Sequence, residues 1–382
     1  MHLACGVAAG IVVLIMCVTG VALTYEKQVL EWADRSAWMA PSSSDVQSLS
    51  PETLLARVQA AQPGAAPIGL TFRADRRMPA TVLLEGNKSL LVDPYSGAII
   101  GEPPAQLRSF FRTMTTWHRY LAMEGESRAT GRSITGASNL AFLFIVLSGM
   151  YLWLPRLWTW VQFKNVLWFR GGLTAKARDF NWHNVIGIWS AVPLAIVIAG
   201  AVPISYPWAS NLVYRLAGDT PPTPAAAPAR AAERGGERAP AVFVASGLDA
   251  AWTAAQLQIP EWRTMTTRLS SSERAPVVIT VDEGYGGQPQ KRTTLTLDRA
   301  TATASKEEKF QDLSAGRRAR SWLRFAHTGE IYGLTGQTIA GLVTGGGAVL
   351  TYTGIALALR RLAAWMMRRR HASSSVEHQR AA

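Results

Sequence analysis

Residues 183–206, HNVIGIWSAVPLAIVIAGAVPISY, decide the fold, because residues 2–25, HLACGVAAGIVVLIMCVTGVALTY, follow the same plan. His2 precedes Gly6, Gly20 and Tyr25, and His183 precedes Gly187, Gly200 and Tyr206. Both show His-x-x-x-Gly, and in both the tyrosine follows the histidine by 23 residues. Each stretch is apolar over the roughly 20 residues that a helix needs to cross a hydrocarbon core of about 30 Å.

Two further stretches pass the same length test. The four predicted spans are Leu3–Leu23, Ile134–Leu154, Val185–Trp208 and Leu334–Leu359, the third interrupted by Pro193, Pro203 and Pro207. The totals agree: of 382 residues 48% are hydrophobic, and the apolar residues are clumped. The first span has no basic n-region and exceeds the usual 7–15 apolar residues of a signal peptide, so we read it as a retained helix. Trp153, Trp158, Trp182 and Trp208 flank the spans, where an interfacial belt places tryptophan.

The net charge of +13 follows from Lys and Arg around the spans and needs no nucleic acid, for which no binding motif is present. Arg156, Lys164, Arg170, Lys176 and Arg178 follow the second span; Arg360, Arg361, Arg368, Arg369 and Arg370 follow the fourth. Both groups are expected to be cytoplasmic, with both termini inside and two long connections outside, in the periplasm of a bacterium. Cys5 and Cys17 both lie in the first apolar run, which excludes a disulfide framework and a thiolate zinc site and leaves them as small apolar fillers.

The expected fold is a mostly α membrane protein, a four-transmembrane-helix bundle with two periplasmic α+β domains. Its expected order is a first span in 1–25, an outer domain in 26–105, an interfacial helical segment in 106–132 and a second span in 133–156. A basic cytoplasmic loop (157–182) and a third span (183–208) follow, then a second outer domain (209–320) with an Ala/Pro-rich linker at 217–241. The last parts are a histidine-bearing segment and fourth span (321–360) and a basic tail (361–382). In the first outer domain a helix is predicted at Pro51–Gln62, strands at Ile68–Phe72, Thr81–Leu84 and Ser89–Val92, and a turn at Asp93–Gly97. In the second, a helix is predicted at Gly247–Gln258 and strands at Val277–Val281 and Thr293–Leu297, followed by Asp298-Arg299. The matching order reads as a duplication. Gly284-Tyr285-Gly286-Gly287 reads as a hairpin turn rather than a phosphate loop, since no helix start follows it.

Four of the six histidines, His2, His118, His183 and His327, precede or begin a span; His371 and His378 lie in the polar tail. His2 and His183 begin helices at the same side, with a glycine one turn on that lets a flat macrocycle approach. His118 and His327 precede the other two spans at the outer side. Two facing histidines per side suit bis-histidine haem iron, a site that helix bundles build from facing helices. Zinc or copper would want ligands clustered at one depth with Cys or carboxylate help. For the outer pair to form, Leu107–Met123 must fold down onto the membrane surface. The Ser148-Gly149 and Thr353-Gly354 steps, and the bare side made by Gly341, Gly345, Gly346 and Gly347, suit either close helix packing or a flat cofactor. Arg112, Arg119 and Arg324 stand near the outer histidines as candidate contacts for haem propionates, for another anionic ligand or for lipid headgroups.

Over nearly its whole length the chain resembles the PepSY-associated transmembrane family. The residues that carry the resemblance are His2-x-x-x-Gly6 through Thr19-Gly20, Trp117-His118, His183-x-x-x-Gly187, His327-Thr328-Gly329 and the turn Val92–Gly97. Within the family it is most similar to inner-membrane ferric-siderophore reductases. That similarity implies two b-type haems held by His2, His118, His183 and His327, electron flow from the cytoplasmic side, and reduction of a ferric siderophore in the periplasm. The expected activity is therefore that of an oxidoreductase with no acid–base catalytic residue. No dinucleotide fingerprint is present, so the electrons would come from a separate quinol, flavoprotein or other cytoplasmic donor. Two rivals stand beside this reading: a peptide- or protease-binding regulatory membrane protein with no redox cofactor, and a siderophore or metal transporter. Transporters favour ionisable groups near mid-bilayer and broken helices, and here only the prolines of the third span hint at a break.

Overall fold

The computed structural model describes residues 2–38, 46–153, 160–222 and 243–381. Leu154, Arg156, Trp158 and most of the expected linker lie outside the described residues, as do the side chains of Arg369, Arg370, His371 and His378. In chain order the helices are α1 (His2–Leu23), α2 (Glu26–Ser36), α3 (Pro51–Ala61), α4 (Ala105–Tyr120), α5 (Arg128–Trp153), α6 (Trp160–Leu167), α7 (Ala175–Ser205), α8 (Pro207–Leu216), α9 (Leu248–Gln258), α10 (Ala315–His327) and α11 (Gly333–Ala381). The strands are β1 (Pro67–Arg73), β2 (Ala80–Leu84), β3 (Ser89–Val92) and β4 (Ile99–Gly101) between α3 and α4, and β5 (Thr264–Arg268), β6 (Val277–Asp282), β7 (Arg292–Leu297) and β8 (Ala304–Lys309) between α9 and α10. The chain divides into two compact units.

The first unit is helical, built from 1–24, 111–210 and 323–382. Helices α1, α5, α7 and α11 each contain a window long and apolar enough to cross a membrane. Helix α1 packs on α5 and α11, and α7 packs on the same two, so α1 and α7 face each other across the bundle. Its core holds Val13, Cys17, Phe142, Val146, Leu194 and Ile198. The third span was expected to be interrupted, yet α7 runs unbroken through Pro193 and Pro203 and ends only before Pro207. Neighbouring helices and local adjustment satisfy the carbonyls that a proline frees within a membrane helix. The glycines of the fourth span serve helix packing. A Cβ at Gly341 would stand 2.9 Å from Thr24, one at Gly346 3.1 Å from Ile186, and one at Gly347 3.2 Å from Cys17.

The second unit, 25–110 and 211–322, corrects the expectation of two separate outer domains. All eight strands form one antiparallel sheet in the order β4-β3-β2-β1-β5-β6-β7-β8. The two halves join where β1 pairs with β5, with Thr71 opposite Thr266 at the middle of the ladder. Helices α3 and α9 lie side by side over one face. Leu54, Leu55 and Val58 from α3, and Ala251, Trp252 and Ala255 from α9, close a core with Leu70, Ile279 and Leu295. A strand pair alone buries too little to stand in water, and merging the halves gives both helices a common core. The two helices also cap each other: Glu52 N–H donates to Asp249 Oδ1 (2.8 Å) and Asp249 N–H to Glu52 Oε1 (3.1 Å).

The duplication extends further than expected, since α1, α2, α3, β1–β4, α4 and α5 recur as α7, α8, α9, β5–β8, α10 and α11. Even the turn at Asp298, which looks degenerate in sequence, repeats the geometry of the turn at Asp93. Asp93 accepts Tyr95 N–H on its side chain and Gly97 N–H on its carbonyl, and donates its own N–H to Ala98. Asp298 does the same with Ala300, Ala302 and Thr303. The backbone N–H and hydroxyl of Thr301, with the N–H of Ala300, hold the Asp298 carboxyl below its usual range. The left-handed position is Gly97 in one copy (φ 74°) and Ala302 in the other (φ 55°).

This inequality yields a contrast measurable by urea unfolding of the full-length protein. Gly97→Ala adds a Cβ 2.6 Å from Arg57 Cδ at a positive φ and should cost about 1–2 kcal/mol. Ala302→Gly relieves the strain but frees the unfolded chain, so stability should move by less than about 0.5 kcal/mol.

Candidate functional site

The bundle unit brings the four sequence-predicted histidines together in two pairs, at opposite ends of α1 and α7. His2 lies in the first turn of α1 and His183 eight residues into α7, and both line one cavity of about 400 Å³. That volume falls within the roughly 300–1,000 Å³ of small-molecule and cofactor sites. Gly6 and Gly187, one turn after each histidine, line the same cavity. A Cβ at Gly6 would meet nothing within 4 Å, so the glycine leaves open space beside the imidazole. Leu194, Phe142 and Val146 form the apolar wall.

His118 and His327 form the other pair, with ring centres 6.2 Å apart. Metal–imidazole bonds of about 2 Å on either side of one ion place ring centres roughly 6 Å apart. His118 reaches the bundle because the chain reverses after α4, where Leu121 and Ala122 both take positive φ. Thr135 Oγ1 of α5 then donates to Arg119 O (2.9 Å), fastening the end of α4 to the bundle.

All four imidazoles are anchored through Nδ1. Ser148 Oγ stands 2.9 Å from Nδ1 of His2, and Thr353 Oγ1 stands 3.0 Å from Nδ1 of His183. Nδ1 of His118 lies 2.9 Å from Met16 O and 3.1 Å from Thr19 Oγ1, and that of His327 lies 2.8 Å from Val197 O. A carbonyl can only accept. The three hydroxyls already donate to helix carbonyls, Ser148 to Ile145, Thr353 to Val349 and Thr19 to Ile15. The carbonyl partners assign the proton to Nδ1 at His118 and His327. At His2 and His183 the hydroxyls can accept it because each has a helix carbonyl to donate to, and Nε2 is then the lone-pair donor, the form in which imidazole binds a metal.

Each histidine also lies against a glycine, three through the ring and His327 through its Cβ and backbone N. A Cβ at Gly149 would stand 3.5 Å from His2, one at Gly354 3.4 Å from His183, one at Gly20 3.3 Å from His118, and one at Gly200 3.1 Å from His327. The hydroxyl–glycine steps Ser148-Gly149, Thr353-Gly354 and Thr19-Gly20 are thus histidine receivers, a role that spacing alone left between packing and cofactor. The duplication repeats here too: Met16 stands 14 residues after His2, and Val197 stands 14 after His183.

Sequence reasoning missed Asp179. It is one turn before His183, its side chain is 2% exposed, and it accepts from Arg178 (3.0 Å) and from Arg360 (2.7 Å). Arg360 lies two turns beyond Thr353, so Asp179–Arg360 and His183–Thr353 are two rungs on the seam between α7 and α11. A helix-internal Asp among basic residues was the available signal. Arg112, Arg119 and Arg324 are exposed, and none forms an ion pair among the described residues. Among the described residues no three His, Cys, Asp or Glu side chains gather as a metal cluster.

Four apolar helices with paired histidines and one antiparallel sheet unit define a multi-pass membrane protein. The family model of the PepSY-associated TM region matches residues 1–361, and the chain belongs to that family. No curated protein matches the chain.

The receiving glycines differ in tolerance. Gly200→Ala would drive a Cβ to 2.5 Å from Leu323 O, forcing α10 away from α7 at a cost of about 1–3 kcal/mol. Gly354→Ala meets His183 at ordinary contact distance and should be near neutral. Thermal unfolding of the two variants in detergent separates them.

Proposed function

We propose that this protein is a transmembrane electron carrier of the bacterial inner membrane. In this reading it holds two b-type haems and reduces ferric siderophores at the periplasmic side, so that Fe(II) is released. The observation that carries the reading is the anchoring of all four histidines through Nδ1, with Nε2 left as the donor. A buried imidazole with no second partner would need only one hydrogen bond. Four imidazoles in two pairs, each histidine beside a glycine, form a repeated ligand geometry rather than scattered polar residues.

His2 and His183 would hold one haem in the 400 Å³ cavity, and His118 and His327 the other. When bound, the haems supply reversible one-electron chemistry at iron. The chain's own residues do the rest. Two imidazoles at each site would hold the haem iron, and a group so held would favour electron transfer over oxygen chemistry. Ser148, Thr353, Met16, Thr19 and Val197 fix ring orientation, which keeps the ligand set in place in both oxidation states. The core between the pairs, from Val13 through Phe142 to Ile198, is apolar and excludes water from the path. Along α1, the 17 residues from His2 to Thr19 span about 25 Å at 1.5 Å per residue, so the two sites lie near opposite faces of the membrane. One electron from the periplasmic site converts one siderophore-bound Fe(III) to Fe(II), which the hard oxygen cage holds less firmly.

The basic groups after the second and fourth spans support cytoplasmic termini, with a quinol or cytoplasmic reductant as donor and the sheet unit in the periplasm. The transporter reading would draw on a broken third helix, and α7 is continuous.

The test is a dithionite-reduced minus oxidised spectrum of protein purified after haem-supplemented expression. Reduced α and β bands are expected, with about half the haem lost in His183→Ala, half in His327→Ala, and nearly all in the double variant. Mixing reduced protein with a ferric hydroxamate and an Fe(II) chelator should reoxidise the haem and yield one Fe(II) per electron. A colourless wild-type protein sinks the haem assignment; haem that stays reduced in the presence of ferric siderophore sinks the substrate alone.

A further inference from the structure

The reversal between α4 and α5 gathers positive charge in an unusual way. Tyr120, the last residue of α4, is 8% exposed. Arg128 Cζ lies 4.2 Å from its ring centre and Arg119 Cζ 5.2 Å from the same centre. Arg132, one turn along α5 from Arg128, donates to Ile204 O (3.1 Å). Two guanidiniums thus stand over one buried phenol, with the third one turn further along α5.

Like charges held this close repel, and protein structures ordinarily offset them with carboxylates. Glu124 and Glu126 stand in the same turn, yet no described carboxylate forms an ion pair with any of the three arginines. The turn itself is disfavoured, with Leu121 at φ 53° and Ala122 at φ 57°, and it is clamped rather than loose. Tyr120 O abuts Gly131 so closely that any Cβ there would overlap it, and Thr135 holds Arg119 O. Helix α5 starts at Arg128, so its positive dipole end lies at the same turn.

We propose that Arg119 and Arg128, set over Tyr120 at the α4–α5 turn, form with Arg132 one turn along α5 a built binding site for an oxyanion, a carboxylate or phosphate group. Guanidinium forks match planar and tetrahedral oxyanions bidentately, and a bound anion would neutralise the repulsion that the fold otherwise leaves uncompensated. The turn lies next to His118 at one end of the bundle, so the group can come from a phospholipid headgroup or from a soluble oxyanion. The site does not depend on haem being present.

Full-length protein in a neutral maltoside detergent tests it through unfolding temperature. The probes are phosphatidylglycerol, phosphatidylcholine as the zwitterionic control, and inorganic phosphate against chloride at matched ionic strength. A saturable rise with phosphatidylglycerol or phosphate is expected in the wild type. Arg119→Gln and Arg128→Gln should each remove about half of it or more, and Arg128→Lys, which keeps charge but not the fork, should fall between. A rise with phosphatidylglycerol alone identifies a headgroup site; a rise with phosphate as well identifies a site for soluble oxyanions. A wild type unmoved by both probes overturns the proposal without reference to any variant, as does an equal rise in wild type, Arg119→Gln and Arg128→Gln.

Discussion

An imidazole placed among apolar helices must give its N–H to an acceptor, because an unpaired buried donor costs on the order of 1–3 kcal/mol. In this bundle that requirement is met on one nitrogen at every site. Main-chain carbonyls at Met16 and Val197, and hydroxyls at Ser148, Thr19 and Thr353, take the Nδ1 proton. The consequence is chemical as well as structural. Fixing the proton on Nδ1 holds the ring in one rotation and one tautomer, and it makes Nε2 a better donor. The glycines beside the histidines serve the same end, since a larger residue at Gly200 could not let α10 approach.

Duplication explains why there are two such pairs. Helices α1 and α7 are equivalent, and each does two jobs: it carries a histidine near its start and receives another one near its end. His118 docks on α1 and His327 on α7 through acceptors 14 residues after His2 and His183. Each pair therefore takes one histidine from each half of the chain. In the sheet unit the same relation joins β1 to β5 and caps α3 and α9 reciprocally through Glu52 and Asp249. Neither half is complete alone: one lacks half of each histidine pair, the other half of a common core.

Much of this was legible in the chain, and the remainder was hidden for physical reasons. The spans follow from length and hydropathy, which the bilayer dictates locally. The strands that alternate cleanly, such as Arg292–Leu297, were found; Thr264–Arg268 and Ala304–Lys309 were not. Thr264–Arg268 is a central strand made mostly of threonine, and its place is fixed by a partner almost two hundred residues away. Ala304–Lys309 is an edge strand whose lysines and glutamates guard an open edge, so it carries no apolar signal. One sheet in place of two domains was equally unreadable, because pairing of β1 with β5 leaves no mark in either segment. At the site, histidine positions and glycine spacing were visible, while the Asp179–Arg360 clamp required knowing that α7 and α11 are neighbours.

The two sites are equivalent in origin but not in surroundings, and the difference follows from single residues. His118 has two acceptors, Met16 O and Thr19 Oγ1, where His327 has the one carbonyl of Val197. Thr19 corresponds to Gly200 in the other half, 17 residues after each leading histidine. So the hydroxyl that steadies one ring is replaced by space that admits the backbone of α10 beside the other. At the opposite end, the His2 and His183 rings each meet a single hydroxyl, but only His183 sits one turn from a buried carboxylate tied to α11. That carboxylate is already paired with Arg178 and Arg360, so it fastens α7 to α11 beside one ring and not the other. Duplication thus supplies two similar sites, and substitutions around the rings, rather than at the histidines, supply the means to set them apart. In the electron path proposed above, such a difference between the two ends would set the direction of flow.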